Sequence, residues 1–181
     1  DYNKLVTAVT DVINEIQLAG DTVNLRGMVW LQGESDVIST PRADAYATNL
    51  DNFINGFRPQ MDLVFPPLGF DDMYTFLVEP ADWKNGTNPG IATQANIDKV
   101  HGALMDFAAT DGNASFIPTD DFTQFEDNLI HFSSADQLTL GSRIADSIEA
   151  ALIPEPGSLA LLGVALCSLF PALGRCRRQG R

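Results

Sequence analysis

The stretch Gly27-Met28-Val29-Trp30-Leu31-Gln32-Gly33-Glu34-Ser35-Asp36 decides the fold, because an apolar run stops abruptly there in polar and small residues. Residues 28–31 show no polar alternation, which predicts a strand buried on both faces of a parallel sheet. In such sheets, ligands bind beyond the carboxyl ends of the strands. We therefore predict that Gln32, Glu34 and Asp36 lie at a ligand site.

The apolar positions on either side of this stretch alternate between helical and extended spacing. Helices are predicted at residues 3–18, 41–58, 91–109 and 134–152. Strands are predicted at residues 24–31, 73–78 and 114–117. This alternation implies parallel strands joined by crossover helices, and hence an α/β three-layer sandwich with a parallel central sheet.

Several helix ends carry recognisable signals. Gly20 is a predicted C-cap of the first helix, and Pro41 suits the first turn of the second helix. Pro59 is expected to end that second helix at Arg58. Ser133 or Ser134 is the predicted N-cap of the last helix, which would hold His131 on the loop just before it.

The charge is distributed unevenly along the chain. The 181 residues carry a net charge of −13. Residues 1–153 hold 23 Asp and Glu against 7 Lys and Arg, a net of −16, whereas residues 154–181 hold one Glu and four Arg, a net of +3. So acidic a domain repels phosphate backbones and anionic lipids, which argues against a nucleic-acid partner. A neutral sugar or glycan ester remains compatible.

The cysteines and histidines exclude several kinds of site. Both cysteines, Cys167 and Cys176, lie in residues 154–181, so the domain has no disulfide framework and no thiol nucleophile. The only histidines, His101 and His131, are 30 residues apart and lack a His-Glu-x-x-His pattern, which argues against zinc. We expect no metal and no cofactor.

Two segments resemble the same enzyme family. Trp30-Leu31-Gln32-Gly33-Glu34-Ser35-Asp36 is similar to the third sequence block of the sialate O-acetylesterase domain, a relative of carbohydrate esterase family six within the SGNH hydrolases. Asp127-Asn128-Leu129-Ile130-His131-Phe132-Ser133-Ser134-Ala135-Asp136-Gln137, followed by Leu140-Gly141, resembles the last block. The resemblance implies a flavodoxin-like SGNH fold that removes O-acetyl groups from sialic acid or other glycans.

The resemblance also implies roles for particular residues. Hydrolysis in this superfamily uses a Ser nucleophile, a His base, an acid that orients the His, and oxyanion donors. By resemblance, His131 is the base, and Gln32 with Gly33 serves the oxyanion. Ser35 and Asp36 are interpreted as residues that cap the loop.

The orienting acid has two candidates. The family usually has an Asp three residues before the His, whereas this chain has Asn128 there and Asp127 one residue further back. Either a one-residue bulge brings Asp127 to the imidazole, or Glu34 supplies the carboxylate, as in some esterases of family six. Both stay open.

The nucleophile is not found in this sequence. No serine occurs before Ser35, although the family's Gly-x-Ser block precedes the Trp-Leu-Gln-Gly-Glu block. Ser35 lacks the closing glycine of a Gly-x-Ser-x-Gly elbow. The chain begins at Asp1 with neither a Met nor an export signal, so we expect residues 1–153 to be the C-terminal part of the domain, without its nucleophile and its N-terminal strand.

Residues 154–181 have a different composition. Pro154-Glu155-Pro156 precedes an apolar run at 159–173 and an arginine cluster, which resembles a PEP-CTERM sorting signal of exported bacterial proteins. The 17 uncharged residues 158–174 are at the short end of a membrane span, and the alternative is a buried C-terminal helix. The resemblance implies export to the cell envelope or extracellular matrix, membrane tethering through 158–174, and contact with sorting machinery.

A second function stays open. If the native product starts near Asp1, the chain is a non-catalytic cell-surface or glycan-binding remnant of such a domain. The partner in either case is a carbohydrate.

Overall fold

The computed structural model describes residues 2–81, 92–125 and 128–152. The helices are α1 (Tyr2–Leu18), α2 (Thr40–Val64), α3 (Gln94–Thr110) and α4 (Ser134–Leu152), with short 3-10 turns at Pro66–Leu68 and Phe70–Asp72. The strands are β1 (Met28–Leu31), β2 (Thr75–Val78), β3 (Ala114–Ile117), β4 (Gln124–Phe125) and β5 (Asn128–Phe132).

The first three strands form a parallel sheet in the order β1-β2-β3. Leu31 pairs with Val78, and Val78 pairs with Ile117, so the three strands end level with one another. This confirms the predicted α/β class with parallel strands. It also brings the segments that follow these strands to one edge of the sheet.

Strand β2 is the strand that is buried on both faces. Leu77 joins a cluster formed with residues of α2 and α3, whereas Phe76 and Val78 pack with Leu140 and other apolar residues of α4. Because successive side chains of a strand point to opposite faces, the two clusters lie on opposite sides of β2.

Strand β1 is less buried than its sequence predicts. Val29 and Leu31 are 45% and 44% exposed, so the expectation of burial on both faces is wrong for this strand. The reason is its position, since β1 is the first strand in the order and, within the described ranges, pairs only with β2.

Helix α2 does not end at Arg58 as predicted, but continues through Pro59 to Val64. A proline inside a helix removes one backbone hydrogen bond and costs about 3 kcal/mol. Burial on either side of Pro59 offsets this cost, because Phe57 and Met61 are core residues and Arg58 is also buried.

The Arg58 side chain ties α2 to the amino ends of β2 and β3. Its guanidinium donates to the Met73 carbonyl at 3.0 Å, the Thr75 hydroxyl at 3.2 Å and the Asn113 carbonyl at 3.0 Å. It also forms a two-pronged pair with the Asp111 carboxylate, at 2.6 and 3.3 Å. This cluster holds the end of the sheet opposite to the predicted site.

The predicted caps at the end of α1 and at the start of α4 are confirmed. Gly20 has a φ of 86° and closes α1. The Ser133 hydroxyl accepts a hydrogen bond from the Asp136 amide at 3.2 Å, which makes Ser133 the N-cap of α4. Helix α3 begins at Gln94, after Thr93, whose side chain accepts from the Asn96 amide.

A short antiparallel pair, β4 with β5, was not predicted. His131 lies in β5, so the expectation that a loop holds it is wrong. A two-residue strand such as β4 carries too few residues to show a period in the sequence.

None of the helices in the described ranges is long and apolar enough to cross a membrane. The predicted anchor at 158–174, and the whole of the predicted sorting segment 154–181, lie outside those ranges.

Candidate active site

The candidate site is built on the segments that leave the carboxyl ends of the three parallel strands. Gln32 follows β1, Glu79 follows β2, and Thr119 lies two residues after β3. The Glu79 amide donates to the Ile117 carbonyl at 3.0 Å, which continues the ladder beyond the strands. This is the edge at which parallel sheets bind ligands.

Both the side chain and the main chain of Gln32 are held. Its Nε2 donates to Asp36 Oδ2 at 2.6 Å. Its carbonyl accepts from the Tyr46 hydroxyl at 2.8 Å, and that hydroxyl accepts from Trp30 Nε1 at 3.2 Å. An amide nitrogen carries two hydrogens, so one N–H of Gln32 can still donate to a ligand.

The Tyr46 phenol is kept neutral. Burial raises its pKa, a hydrogen bond from Trp30 opposes this, and the nearby Asp36 and Glu34 carboxylates raise it further. The phenol therefore keeps its proton and donates it to Gln32.

Gly33 packs where no side chain fits. Its φ of 140° is a backbone conformation that favours glycine. A Cβ there would lie 2.8 Å from Val100 Cγ1 and 3.1 Å from Pro80 Cγ. Further along the loop, Asn96 Nδ2 donates to the Val37 carbonyl at 3.1 Å. The loop is thus packed against α3 and the segment after β2.

His131 lies on β5 and is exposed. In the described part of the chain its imidazole makes no hydrogen bond or ion pair, and none joins it to Gln32 or Glu34. Asp127, the other predicted acid, lies outside the described residues.

The segment that leads to β4 and β5 is anchored at the carboxyl edge. The Thr119 amide donates to Glu79 Oε2 at 2.6 Å, and its hydroxyl donates to the Glu79 carbonyl at 3.0 Å. From α4, Arg143 donates to both carboxylate oxygens of Asp121, at 2.8 and 2.5 Å, and its guanidinium lies 4.4 Å from the centroid of the Phe122 ring.

The end of β5 is fastened to α4 through Asp136. The Asp136 carboxylate accepts from the Thr123 amide at 2.8 Å, from the Thr123 hydroxyl, and from the Ser133 hydroxyl at 2.6 Å. The Ser133 amide in turn donates to the Thr123 carbonyl at 3.0 Å. His131 therefore lies two residues from a closed hydrogen-bond network.

Comparison with known proteins identifies the family. Residues 2–150 match the family described as "Carbohydrate esterase, sialic acid-specific acetylesterase". The chain belongs to this acetylesterase family. No curated protein matches it significantly.

A solved structure has the same fold. The X-ray structure of a protein from Arabidopsis thaliana is 24% identical to this chain, with a TM-score of 0.61. The match covers 82% of this chain and 52% of the plant chain, so the chain spans about half the length of that protein. At this identity the likeness concerns the fold alone.

The acetylesterase domain contains a buried acid–base pair that the sequence did not reveal. His101 Nδ1 lies 2.8 Å from Glu79 Oε1, and the two side chains are only 13% and 10% exposed. The Nε2 atom of His101 is buried and has no hydrogen-bond partner among the residues that the structure describes. The sequence could have indicated Glu79, because it directly follows a predicted strand. It gave no indication of His101, which lies among the apolar positions of a helix.

A cleft opens beside Gln32 in the acetylesterase domain, with a volume of about 320 Å³. It is lined by the rings of Tyr2, Trp30 and Phe53 and by the polar groups of Gln32, Asp36 and Asn49. The Trp30 and Phe53 ring centroids are 4.6 Å apart. The cleft thus combines an aromatic wall with hydrogen-bonding groups.

Proposed function

We propose that this chain is the C-terminal part of a carbohydrate esterase that removes O-acetyl groups from glycans by Ser-His-acid hydrolysis. The proposal rests on the two hydrogen bonds that hold Gln32. Its side-chain amide donates to Asp36, and its main-chain carbonyl accepts from Tyr46. Donors fixed in advance are what an oxyanion needs, because they require no rearrangement as charge develops.

In this proposal, Gln32 Nε2 and the Gly33 amide donate to the oxyanion, and His131 is the general base. The packing of Gly33 against Val100 and Pro80 supports it, because it leaves the loop little freedom to move. The exposure of His131 is compatible with contact to a substrate. The network around Asp136 and Ser133 would keep β5 in place.

The acid that orients His131 is Asp127 or Glu34. A carboxylate accepts from imidazole Nδ1 and sets the tautomer that leaves Nε2 free to take a proton. Glu34 is half-buried on the loop that follows β1, at the carboxyl edge of the sheet, and this position supports Glu34. Substitution of each acid by its amide distinguishes them, because only the orienting acid lowers kcat by orders of magnitude when lost.

We propose that the nucleophile comes from a segment outside these 181 residues. Ser35 is the first serine and lies exposed on the loop after β1. Strand β1 has an edge that no described strand pairs with, and its Val29 and Leu31 side chains are nearly half exposed. A further strand bearing the Gly-x-Ser block would pair there and complete a three-layer sandwich of the family-six type.

We also propose that residues 154–181 are a PEP-CTERM sorting and membrane-anchor segment. The support is the sequence alone, with Pro154-Glu155-Pro156, the apolar run and the arginines in that order. The domain would then act at the bacterial envelope or in the extracellular matrix, tethered through 158–174 until it is processed.

The test is acetate release by the product of the whole reading frame. We expect hydrolysis of O-acetylated sugars and labelling of one serine by a fluorophosphonate, both lost in His131→Ala. The control is Lys99→Gln, whose side chain is exposed on α3 and whose loss should leave labelling in place. A full-length product that binds acetylated glycans but releases no acetate would contradict the esterase and favour the glycan-binding remnant.

A further inference from the structure

We propose that Glu79 and His101 form a positioning pair at the carboxyl edge of the sheet. The pair holds Gly33, the proposed oxyanion donor, in a fixed relation to His131, the proposed base. The inference rests on the proposed function, because it assigns a further role within that site. Neither residue of the pair contacts the substrate in this proposal, and both act through the segments on either side of them.

The pair joins the end of β2 to the middle of α3. Glu79 directly follows β2, and its Oε1 atom lies 2.8 Å from Nδ1 of His101 on α3. Both side chains are largely buried. A hydrogen bond between ionisable groups is stronger in such surroundings than in water. The bond therefore fixes the position of α3 relative to the end of β2.

The hydrogen of the pair lies on Nδ1 of His101. The other ring nitrogen, Nε2, is buried and has no hydrogen-bond partner among the described residues. A hydrogen on Nε2 alone would leave a buried N–H without an acceptor, which is rare and costly in proteins. A hydrogen on Nδ1 instead donates to Glu79 Oε1, and the bond made by one ring nitrogen sets the tautomer.

On one side, the pair lies behind the loop of Gly33. The sequence neighbours of the pair, Pro80 and Val100, are the residues against which Gly33 packs. A Cβ on Gly33 would lie 3.1 Å from Pro80 Cγ and 2.8 Å from Val100 Cγ1. Pro80 follows β2 and Val100 lies on α3, so the bond between Glu79 and His101 holds together the two surfaces that support this loop.

On the other side, Glu79 holds the start of the segment that leads to β5. Its Oε2 accepts from the Thr119 amide at 2.6 Å, and its carbonyl accepts from the Thr119 hydroxyl at 3.0 Å. The Thr119 carbonyl accepts from the Phe122 amide at 2.9 Å, and the Phe122 ring meets the Phe132 ring edge to face at 5.2 Å. Phe132 is buried and directly follows His131 in β5. The position of His131 therefore depends on the bonds of Glu79.

The distance between the oxyanion donor and the base has to be set by contacts outside the parallel sheet. Gly33 follows β1, whereas His131 lies on β5, which belongs to a separate two-stranded sheet. Misplacement of a reacting group by about 1 Å can lower a rate about a hundredfold. The contacts of Glu79, His101 and their neighbours reach both sides, and this is why we assign the positioning role to them.

The first test is the nitrogen NMR spectrum of the imidazoles in the 181-residue chain, which contains only two histidines, His101 and His131. We expect a hydrogen on Nδ1 of His101, and its absence there would overturn the proposal. His101→Phe keeps a ring and removes the donor, so that only His131 signals remain. They should shift relative to the wild type, and unchanged signals would overturn the proposal. Tyr74→Phe, which loses one hydrogen bond at the amino ends of β2 and β3, should leave them in place.

The second test is the kinetics of the product of the whole reading frame. His101→Phe should lower kcat for acetate release about ten- to a hundredfold with little change in KM, because the donor and the base are misplaced while substrate-binding groups remain. His101→Asn should restore most of kcat, since an amide N–H then donates to Glu79 in place of Nδ1–H. Tyr74→Phe loses stability away from the site and should keep its kcat.

A kcat of His101→Phe within about threefold of the wild-type value would overturn the positioning pair and leave the esterase standing. If His101→Phe does not fold, Thr119→Val gives the same test, because it removes only the hydroxyl bond to the Glu79 carbonyl. Its kcat should fall about two- to tenfold, and an unchanged kcat would overturn the proposal. Absence of acetate release by the wild type would instead contradict the proposed function. The NMR shift of His131, which needs no catalysis, then still decides whether the pair positions β5.

Discussion

The Tyr46 hydroxyl donates to the main-chain carbonyl of Gln32 at 2.8 Å, across 14 residues of sequence. The same oxygen accepts from Trp30 Nε1 at 3.2 Å, so one phenol on α2 satisfies groups at the end of β1 and just after it. Tyr46 is 4% exposed, and no other group of α2 makes a hydrogen bond to Gln32 in the described part of the chain. The geometry of the Gln32 loop therefore depends on a helix residue.

Tyr46→Phe should cost about 1 to 3 kcal/mol of unfolding free energy, because it leaves a carbonyl and an indole N–H without partners. The measurement is urea unfolding. The matched control is Tyr74→Phe, which removes one part-buried bond, to the Ala114 carbonyl, and should cost less. The Gln32 side-chain amide signals should shift in Tyr46→Phe alone, and equal effects of the two variants would contradict the special role of Tyr46.

Gly33→Ala should destabilise the loop strongly, by about 1 to 3 kcal/mol, through a strained positive φ and overpacking against Val100 and Pro80. Gly112→Ala provides the comparison, because no described atom other than those of Gly112 and its two chain neighbours lies within 4 Å of a Cβ built there. Thermal unfolding of both variants distinguishes them. A Gly33→Ala protein as stable as Gly112→Ala would mean that the loop is not packed as described.

Arg58→Lys should lower stability by about 1 to 3 kcal/mol, because lysine keeps the charge but leaves buried oxygen acceptors without donors. A lysine cannot reproduce the two-pronged contact with Asp111 and the bonds to Met73 and Asn113. Chemical denaturation measures the loss, with the exposed Arg42→Lys as control, for which the change should stay within about 0.5 kcal/mol. A mild effect of Arg58→Lys would show that the amino ends of β2 and β3 are held by other contacts.

The attachment of β5 to α4 should weaken in acid. The Ser133 hydroxyl, followed by the hydroxyl and amide of Thr123, holds the pKa of the Asp136 carboxyl below its ordinary value. A carboxyl with a lowered pKa stabilises the fold above its unfolded pKa, about 3.9, and this contribution is lost as the pH falls through the folded pKa.

The Thr123 amide proton, which donates to Asp136, reports this loss in an NMR titration. Its chemical shift should change at a pH below about 3.9, and Asp136→Asn should abolish the change. Asp121 is a second carboxyl close in sequence to Thr123, and a hydrogen bond from Arg143 lowers its pKa as well. Asp121→Asn serves as the control, and persistence of the Thr123 titration in Asp136→Asn would assign it to another group.

The 181-residue chain alone should release no measurable acetate from aryl acetates or acetylated sugars. Loss of the serine from a Ser-His-acid system lowers the rate on the order of a millionfold. The assay is acetate release together with fluorophosphonate labelling. Robust labelling of Ser35 or another serine, abolished by His131→Ala, would show that this chain carries its own nucleophile.

Much of the fold was predictable because the helices and strands follow the periodic spacing of apolar residues along the chain. Strand 114–117 and helix 134–152 were predicted with the bounds that the structure has, since their apolar spacing is unbroken and Ser133 caps the helix. The parallel direction of the strands followed from the alternation of helices and strands. Helix α2 beyond Pro59 was missed because the burial of Met61 and Arg58 is a tertiary property that outweighs the proline.

The candidate site was predictable in part. An apolar run that ends in Gln32-Gly33-Glu34 shows where a strand stops, and a parallel sheet then fixes which edge those residues occupy. The role of His131 as the base stays a prediction from the residues around it in sequence, and its placement in a strand was not predicted.

The sequence by itself determined the order of helices and strands, the excess of acid in residues 1–153 and the chemistry at the end of β1. Only the tertiary structure decided which distant side chains meet there. Glu79 and His101 are 22 residues apart and Tyr46 and Gln32 are 14 apart, and each pair joins two different elements, so no period within one helix or strand relates them. Such pairs form because packing α2 and α3 on the sheet removes water from polar groups, which must then bond to each other.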